Sequence, residues 1–246
     1  MGFLEVEKWK KNQGIIHGFG VKEKAAGEVT QKDYWGQTIK EGNESYPLVA
    51  LRQVHGDAVV PFTGEGQKLE ELWVLAGDAL ITQVPGYALC VFTADCLPIF
   101  LFDPTQKAIA IVHAGWRGTA KGIAQRVLRE LGEKFSCMSE DIQAAIGPCI
   151  GPCCCEVDRP VREVFLKEGW PWDLIATPRG QGKWSLDLPR ANAYLLEKGG
   201  VRRENIYRLE SCTSCQEDLF YSYRRDQKTK ARQINFIALK KPKKNP

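Results

Sequence analysis

ALCVFTADCLPIFLF at residues 88–102 and AIAIV at residues 108–112 are two apolar stretches separated by the turn-forming pair Asp103-Pro104. The first stretch is preceded by another turn-forming pair, Pro85-Gly86. Both stretches are rich in residues that favour strands, and apolar runs between turn signals are typical of buried strands. The pattern therefore predicts two neighbouring strands in the core, joined by a tight turn.

Two segments further along the chain are predicted to be helical. In residues 119–135 the apolar residues recur at helical spacing, with Thr119 as the candidate N-cap and Gly122 as a residue that disfavours the helix. Residues 186–198 have the pattern of a second helix, with Asp187 near its start.

The remaining pattern predicts an α+β fold. Residues 220–223 and 234–239 are expected to be late strands, and the polar, glycine-bearing stretches 27–45 and 179–183 are expected to be surface loops. Strands and helices do not alternate regularly as in a βαβ protein, and no linker or internal repeat divides the chain. We therefore expect a single domain over residues 1–246, built of layered mixed β-sheets flanked by helices in an α/β/β/α-like arrangement.

The composition argues against several classes of protein. The chain of 246 residues is 43% hydrophobic and 26% charged, as soluble globular proteins are. Its net charge of +4 is small and lies partly in the terminal segment 240–244, so we expect no nucleic-acid partner. The most apolar window, residues 87–102, is interrupted by Asp95 and Pro98, so we expect no membrane span.

The cellular location is inferred from the start of the chain. Residues 1–13 are rich in charge and lack the apolar core of a secretory signal, so we expect a cytoplasmic protein. In the cytoplasm the nine cysteines should be reduced, and they are better interpreted as core residues, metal ligands or nucleophiles than as disulfides. We expect a monomer or a small homo-oligomer.

Three residues are candidates for a metal site. His55 ends an apolar stretch and His113 ends the strand predicted at 108–112, and strand ends are common positions for reactive groups. Cys96 lies in the preceding predicted strand, so its thiol could meet the ring of His113. Two imidazoles and a thiolate suit zinc, and three protein ligands leave a fourth position for water or substrate, as in catalytic sites. The residues by themselves leave open that all three are unconnected core residues.

Six motifs occur in an order that resembles one known family. They are QVHG at 53–56, GDAL at 77–80, TADCLP at 93–98, VHAGWRG at 112–118, IGP at 146–148 and FYSYRRD at 220–226. Together they are similar to the bacterial laccase-domain (YfiH-like) family, named as multicopper polyphenol oxidases and later described as purine nucleoside phosphorylases. Cys155 departs from this pattern, in which an aromatic residue precedes Glu156-Val157.

The resemblance implies an enzyme with one metal site and a purine nucleoside substrate. The family's two histidines and one cysteine match His55, Cys96 and His113, so the implied cofactor is zinc, with copper as the alternative. The implied reaction is the cleavage of adenosine, inosine, guanosine or methylthioadenosine by phosphate, together with adenosine deamination in some members. The implied fold has layered mixed sheets and outer helices, in agreement with the α+β prediction.

Three further residues are candidates for the chemistry. Arg117 lies in a glycine-rich turn at a predicted helix start, where backbone N–H groups and a guanidinium favour an anion, so it is the candidate phosphate ligand. Asp95 and Asp78 are candidate acid–base or ribose-binding carboxylates. Asp95 can share the site with Cys96 only if the strand is already broken before Pro98, because neighbouring strand residues point to opposite faces. The alternatives are a surface arginine and two carboxylates that cap loops.

The other cysteines carry weaker signals. Cys212 and Cys215 form a C-x-x-C motif, and a structural zinc would need a second pair, for which Cys149 with Cys153 is the only loose candidate. The Gly-Pro-Cys repeats that contain Cys149 and Cys153 predict consecutive turns lining a pocket. Six cysteines have no role assigned from the sequence: Cys149, Cys153, Cys154, Cys155, Cys212 and Cys215.

Three other functions compete with phosphorolysis. Cys96 could be a nucleophile activated by His113 in a metal-free hydrolase, with Asp95 or His55 as the orienting group. Copper-dependent polyphenol oxidation follows from the older family name, although three histidines are too few for a trinuclear cluster together with an electron-transfer copper. A non-catalytic binding role, for example in editing cell-wall precursors, is the last alternative.

Overall fold

The computed structural model describes residues 2–10, 14–22, 29–64 and 66–242. The strands in these ranges are β1 (Phe3–Leu4), β2 (Ile15–Gly20), β3 (Thr38–Glu41), β4 (Glu44–Val49), β5 (Val59–Pro61), β6 (Ala79–Thr82), β7 (Ala88–Thr93), β8 (Leu97–Asp103), β9 (Ala108–Ala114), β10 (Gln143–Ile146), β11 (Glu156–Asp158), β12 (Ala176–Gly180), β13 (Lys183–Leu186), β14 (Ile206–Arg208) and β15 (Gln233–Leu239). The α-helices are α1 (Glu7–Lys10), α2 (Leu69–Val74), α3 (Trp116–Ala120), α4 (Ile123–Phe135), α5 (Arg159–Lys167), α6 (Trp172–Ile175) and α7 (Leu188–Lys198). Short 3-10 helices lie at Gln31–Tyr34, Ser139–Asp141 and Arg203–Asn205.

The strands of the described ranges form two six-stranded sheets and one three-stranded sheet. The first sheet has the order β1-β2-β15-β7-β4-β3, the second β14-β10-β8-β9-β6-β5, and the third β11-β13-β12. Both large sheets are mixed, since β4 pairs in parallel with β7, β5 with β6, and β10 with β14, among antiparallel neighbours. The α+β prediction with mixed sheets is confirmed.

The alternation of side chains along the strands divides the core into layers. The layer between the two large sheets includes Phe19, Leu89 and Ile237 from the first sheet and Phe100, Phe102, Ile109 and Ile111 from the second. The alternate residues of β8 and β9 face the other way, and they pack with the buried sides of α4 and α7. The outer face of the first sheet packs against Tyr34 and Trp73. No helix in the described part of the chain has the length and apolar content needed to cross a membrane.

Three strands, β7, β8 and β9, lie where two central strands were predicted. The pair β8–β9 is antiparallel, with Leu97 opposite Ala114 and Asp103 opposite Ala108, as the turn at residues 103–104 predicts. The single strand expected over 88–102 is wrong, because the chain leaves the first sheet after β7 and enters the second at β8. Asp95, in the break, has a φ of 91°, which regular strand geometry does not allow.

The helix expected over 119–135 is also divided. Thr119 is not an N-cap but lies inside α3, and its hydroxyl accepts a hydrogen bond from Asn192 Nδ2 at 2.9 Å. Gly122, with a φ of 76°, is the residue before α4, so the left-handed backbone of this glycine separates the two helices. The second predicted helix is confirmed as α7, with Asp187 as its N-cap accepting from the Arg190 N–H.

Several smaller predictions have mixed outcomes. The strand expected at 234–239 is confirmed as β15, whereas the strand expected at 220–223 is wrong, because that segment lies among hydrogen-bonded turns. The loop prediction at 27–45 is wrong where the structure has a 3-10 helix and the β3–β4 hairpin, and residues 27–28 lie outside the described residues. The stretch 179–183 is the exposed turn of the β12–β13 hairpin together with the strand ends beside it.

Candidate active site

The candidate site lies where the chain passes twice from the first large sheet to the second. One passage leads from β4 through His55 to β5, and the other leads from β7 through Cys96 to β8. The third residue, His113, lies on β9, beside β8. It has the same strand parity as Ile109 and Ile111, so the alternation of β9 directs it to the side between the sheets. The sulfur of Cys96 and a ring nitrogen of each histidine lie within 4.8 Å of one another.

Asp78 holds both histidines in place. Its Oδ1 is 2.8 Å from Nδ1 of the buried His113 ring and accepts the His55 N–H at 2.9 Å. Its Oδ2 accepts the Gly56 N–H at 2.7 Å. His55 has a φ of 59°, and these backbone hydrogen bonds fix that unusual conformation. The carboxylate therefore orients the ring of His113 and the loop that presents His55.

The charge on Asp78 is preserved in spite of its burial. Burial raises the pKa of the Asp78 carboxyl, but the hydrogen bond and charge of His113 and the N–H donors of Gly56 and His55 outweigh it. The pKa of Asp78 consequently lies below its ordinary value. Asp78 is a carboxylate at neutral pH.

Cys96 and His113 stabilise opposite charges on each other. Burial raises the pKa of the Cys96 thiol, but the charge and hydrogen bonds of His113 and His55 lower it to about 6. Burial lowers the pKa of His113, but the Cys96 thiolate and Asp78 raise it to about 9. Without a metal ion the pair is therefore a thiolate and an imidazolium at neutral pH.

Two glycines of the VHAGWRG motif make room for this site. A Cβ added to Gly115 would lie 3.1 Å from Cys96 Sγ and 3.2 Å from His55 Cδ2. A Cβ added to Gly118 would lie 2.7 Å from the carbonyl oxygen of Gly56. The glycines are required because the loops with the reacting groups pass directly over the start of α3.

The three residues fit a zinc-like ion. His113 uses Nδ1 for Asp78, which leaves Nε2 as its free ring nitrogen, and a carboxylate behind a histidine is the usual support of a metal-bound imidazole. Imidazole and thiolate are ligands that zinc prefers. His55 is exposed, so the group opens to one side, and a three-ligand site of this kind accepts water or substrate in its fourth position.

The group opens into a cavity of about 760 Å³, a size suited to a small molecule. Aromatic surface on its walls comes from Phe92, Trp116 and Tyr223. The guanidinium of Arg117 lies over the ring of Trp116, 4.3 Å from its centre. Four cations line the cavity: Arg117, Lys183, Arg224 and Arg232.

These cations differ in how far their donors are already used. Lys183 binds Glu156 at 2.6 Å, Arg224 donates to the carbonyls of residues 154 and 156, and Arg232 donates to the carbonyls of residues 229 and 231. The guanidinium of Arg117 has neither a hydrogen bond nor an ion pair with any other described residue. Its guanidinium is the cation of the cavity whose donors are free for an anion.

The structure positions Asp95 next to Cys96 but uses both of its oxygens. Oδ1 accepts from the hydroxyl of Thr213 at 2.6 Å, and Oδ2 accepts from the backbone N–H of Arg224 at 2.7 Å. The carboxylate is buried and joins the turn of Cys96 to the segment that carries Tyr223 and Arg224. Asp95 thus stabilises the cavity wall, and its acid–base role stays a prediction.

Gln53 is a site residue that the sequence analysis did not single out. Its Nε2 donates to the carbonyl of Phe92 at 2.9 Å, and its Oε1 accepts the Phe92 N–H at 2.8 Å. The side-chain amide of Gln53 therefore pairs with Phe92 as the backbone of a neighbouring strand would, and it connects the His55 loop to β7. Its place in the QVHG motif was the available signal, but the motif does not reveal which strand the amide meets.

The fold and the site define an α+β enzyme whose candidate reacting groups lie at the crossing between two mixed sheets. Residues 23–240 match the family model described as multi-copper polyphenol oxidoreductase laccase, and the chain belongs to this family. A relative from Geobacillus stearothermophilus, named purine nucleoside phosphorylase YlmD, is 38% identical over 205 residues, covering 78% of this chain and 73% of the relative.

Two further comparisons agree with the family. A protein of an unknown prokaryotic organism, named adenosine deaminase RL5, is 37% identical over 183 residues, 72% of this chain and 70% of its own length. The crystal structure of hypothetical protein YfiH from Bacillus licheniformis superposes with a TM-score of 0.82 at 28% identity, covering 97% of this chain and 96% of that one. The fold and the family expected from the motifs are confirmed.

Proposed function

We propose that this protein is a zinc-dependent purine nucleoside phosphorylase, with His55, Cys96 and His113 as the metal ligands. The observation that carries the proposal is one cavity that joins this three-ligand group to the uncommitted guanidinium of Arg117. Phosphorolysis needs a phosphate held near C1′ of the sugar and polar groups that stabilise the departing purine, and this cavity offers a free cation beside a candidate metal group. The name of the 38% identical relative supports the same reaction.

In the proposed reaction a phosphate oxygen forms a bond to C1′ of the ribose while the bond from C1′ to the purine nitrogen breaks. The electron pair of the broken bond moves into the purine, which takes up the proton that the hydrogen phosphate loses, and the products are the free base and ribose 1-phosphate. Arg117 binds the phosphate through charge-assisted hydrogen bonds. Trp116 and Tyr223 provide aromatic surface for the base.

The metal ligands need support from the rest of the chain. Asp78 remains ionised, keeps Nδ1 of His113 occupied and thereby directs the other ring nitrogen to the ion. Cys96 remains a thiolate because two imidazoles lower its pKa. A zinc ion at these ligands would supply a Lewis acid with one position open to substrate or water.

Adenosine deamination is a second candidate activity of the same site. It is favoured by the 37% identity to a relative that is named an adenosine deaminase. In this reaction a water oxygen replaces the amino group at C6 of the purine, and ammonia leaves. An open three-ligand zinc site suits the activation of that water.

Each competing function either leaves some of these residues without a role or needs residues that the chain lacks. A metal-free hydrolase would explain the Cys96–His113 pair, but Asp78 already binds Nδ1 of His113 as an orienting group would, which leaves His55 beside the thiolate without a task. Multi-copper oxidation needs more histidines than the three of this chain. One of the three, His17, is already used as a structural acceptor, since it takes the Val6 N–H at 2.9 Å inside the N-terminal core. Burial lowers the pKa of His17 to about 4, as expected for a neutral structural acceptor.

Purified protein with inosine or adenosine, with and without phosphate, tests the proposal. We expect free base only when phosphate is present, with an equal amount of ribose 1-phosphate. Ammonia release from adenosine would measure the second activity separately. Base release that does not depend on phosphate would contradict phosphorolysis and favour a hydrolase, and the lack of base release from every purine nucleoside would refute the substrate class.

A further inference from the structure

A second cluster of metal-binding side chains lies outside the cavity of His55 and Cys96. The sulfur atoms of Cys153, Cys154, Cys212 and Cys215 all lie within 4.8 Å of one another. Cys215 Sγ is 3.5 Å from Cys153 Sγ and 3.3 Å from Cys154 Sγ. The sequence suggested Cys149 as the partner of Cys153, and this is wrong, since Cys149 is buried with its sulfur directed at the carbonyl of Ile150.

The spacing of the four sulfurs suits a tetrahedral ion. A zinc–sulfur bond of about 2.3 Å puts the sulfurs of a four-thiolate site about 3.8 Å apart. The two short distances lie somewhat below this value, and the limit of 4.8 Å for the whole cluster lies about 1 Å above it. A small radial adjustment therefore converts the cluster into a coordination sphere. Disulfides could join the four thiols in one or two pairs, but all four are free, and the two short distances are well above the S–S bond length of about 2.05 Å.

Backbone hydrogen bonds hold the two cysteine loops together. The Cys149 N–H donates to the carbonyl of Ser211 at 3.3 Å, and the Thr213 N–H donates to the carbonyl of Cys149 at 2.9 Å. The Gly151 N–H donates to the sulfur of Cys212 at 3.2 Å. An N–H group directed at a sulfur favours the thiolate, which is the form that binds metal.

Three arginines bind the carbonyl groups of these loops. Arg179 donates to the carbonyls of residues 152 and 153, Arg224 to those of 154 and 156, and Arg225 to those of 213 and 214. Four thiolates around a divalent cation carry two negative charges in excess. The guanidinium groups bring positive charge to that region and stiffen both loops.

We propose that Cys153, Cys154, Cys212 and Cys215 bind a structural zinc ion, in addition to any ion held by the three-ligand group. Four protein thiolates complete the coordination of zinc, so this site is closed and does no chemistry on a substrate. The inference rests on the four sulfurs and their surroundings, and it stands whether or not the proposed function is correct.

The zinc would brace one wall of the cavity. Thr213 lies between the two C-x-x-C cysteines, and its hydroxyl donates to Asp95, as does the backbone N–H of Arg224. Asp95 precedes Cys96 in the chain. Metal binding at the cysteine loops therefore fixes the turn that presents Cys96, because a metal ion stabilises the folded arrangement of its ligands.

Metal analysis of protein purified under reducing conditions tests the inference. We expect two zinc ions per chain in the unaltered protein, one per chain in Cys215→Ser or Cys154→Ser, and two in the control Ser214→Ala. Ser214 lies between Cys212 and Cys215 and contributes no ligand. The variant His55→Asn should lose the other ion and keep the cysteine-bound one, which separates this inference from the proposed function.

Cobalt substitution gives a readout that does not depend on activity. Cobalt bound by four thiolates has an intense sulfur-to-metal charge-transfer absorption, which we expect in His55→Asn. We expect it to be much weaker in the double variant His55→Asn/Cys215→Ser, where the Cys96 group is altered in the same way and only the four-cysteine group differs. The melting temperature should fall in Cys215→Ser and on chelation, and should not change in Ser214→Ala. The same metal content in Cys215→Ser as in the unaltered protein would overturn the proposal, as would a chain lighter by two or four hydrogens with disulfides among these four cysteines.

Discussion

The three-ligand group and the four-cysteine group use similar donor atoms in different surroundings. Charged side chains control the first, where the buried Asp78 helps to raise the pKa of the buried His113, and His113 with His55 lowers the pKa of Cys96. Backbone groups control the second, where an N–H donates to Cys212 and arginines bind the neighbouring carbonyls. The first group faces a cavity of about 760 Å³, whereas the second has enough sulfurs to enclose an ion. The number of donors and the access to them therefore separate a reactive metal site from a structural one.

Replacing His55 should have the largest effect and should act on one group alone. Asn tolerates the positive φ of this position but is a poor zinc ligand, so the loop should keep its form. We expect kcat/KM for phosphorolysis to fall by about 10³-fold, the loss of the several kcal/mol that a Lewis acid supplies. Steady-state kinetics and circular dichroism check this, with the exposed neighbour Val54→Ala as the control. Full activity in a folded His55→Asn protein would break the assignment.

Replacing Arg117 should weaken phosphate binding without affecting either metal. Loss of a charge-assisted hydrogen bond is worth about 1.5–3 kcal/mol, so we expect the KM for phosphate to rise by about 10- to 100-fold in Arg117→Ala. Lys121→Ala is the matched control, since Lys121 pairs with Asp57 at 3.6 Å and does not line the cavity. An unchanged KM for phosphate in Arg117→Ala would mean that another group binds the anion.

Replacing Asp78 should sharpen the contrast, because only the three-ligand group depends on a buried carboxylate. In Asp78→Asn we expect the affinity for the catalytic ion to fall by about 10- to 100-fold, as for other supports of metal-bound histidines. Competition with a chelator measures it. The control is Asp103→Asn, since Asp103 is a buried carboxylate that accepts two backbone N–H groups away from the site. Equal affinities in the two variants would show that Asp78 does not position His113.

The smallest effect concerns the pH dependence of alkylation in metal-free protein. Because the pKa of Cys96 is lowered to about 6, its thiolate fraction rises about tenfold per pH unit below that value and levels off above it. Iodoacetamide labelling of Cys96, followed by mass spectrometry, should therefore reach a plateau near neutral pH and slow down after zinc is restored. Cys137, whose pKa burial raises to about 12, is the control. A labelling rate that still rises above about pH 8 would refute the ion pair.

A considerable part of the fold can be predicted from local patterns. The pairing of β8 with β9 follows from two apolar runs around Asp103-Pro104, and α7 follows from its periodicity and from Asp187. The break at Asp95 is not predictable in this way, because the apolar pattern continues across it while the chain changes sheets. The segment 220–223 alternates as a strand would but is a turn, since Arg225 donates to the Phe220 carbonyl and Asp226 accepts the Ser222 N–H.

The candidate metal ligands were found from their residue types, their positions at strand ends and the resemblance of the motifs. Their convergence and the support of Asp78 required the crossing of two sheets, since His55 and His113 belong to distant segments. The uncommitted state of Arg117 is also a tertiary property. It is visible only when the partners of the neighbouring cations are known.

The sequence by itself determined the family and the α+β class, and it supplied the candidate site residues. Only the tertiary structure decided that the C-x-x-C pair meets Cys153 and Cys154 instead of Cys149. The physical reason is that periodicity reports which side of an element is buried, whereas sheet order and loop crossings decide which distant elements meet. Residues about sixty positions apart share a metal-sized space here because backbone hydrogen bonds join their loops, and no local pattern encodes that contact.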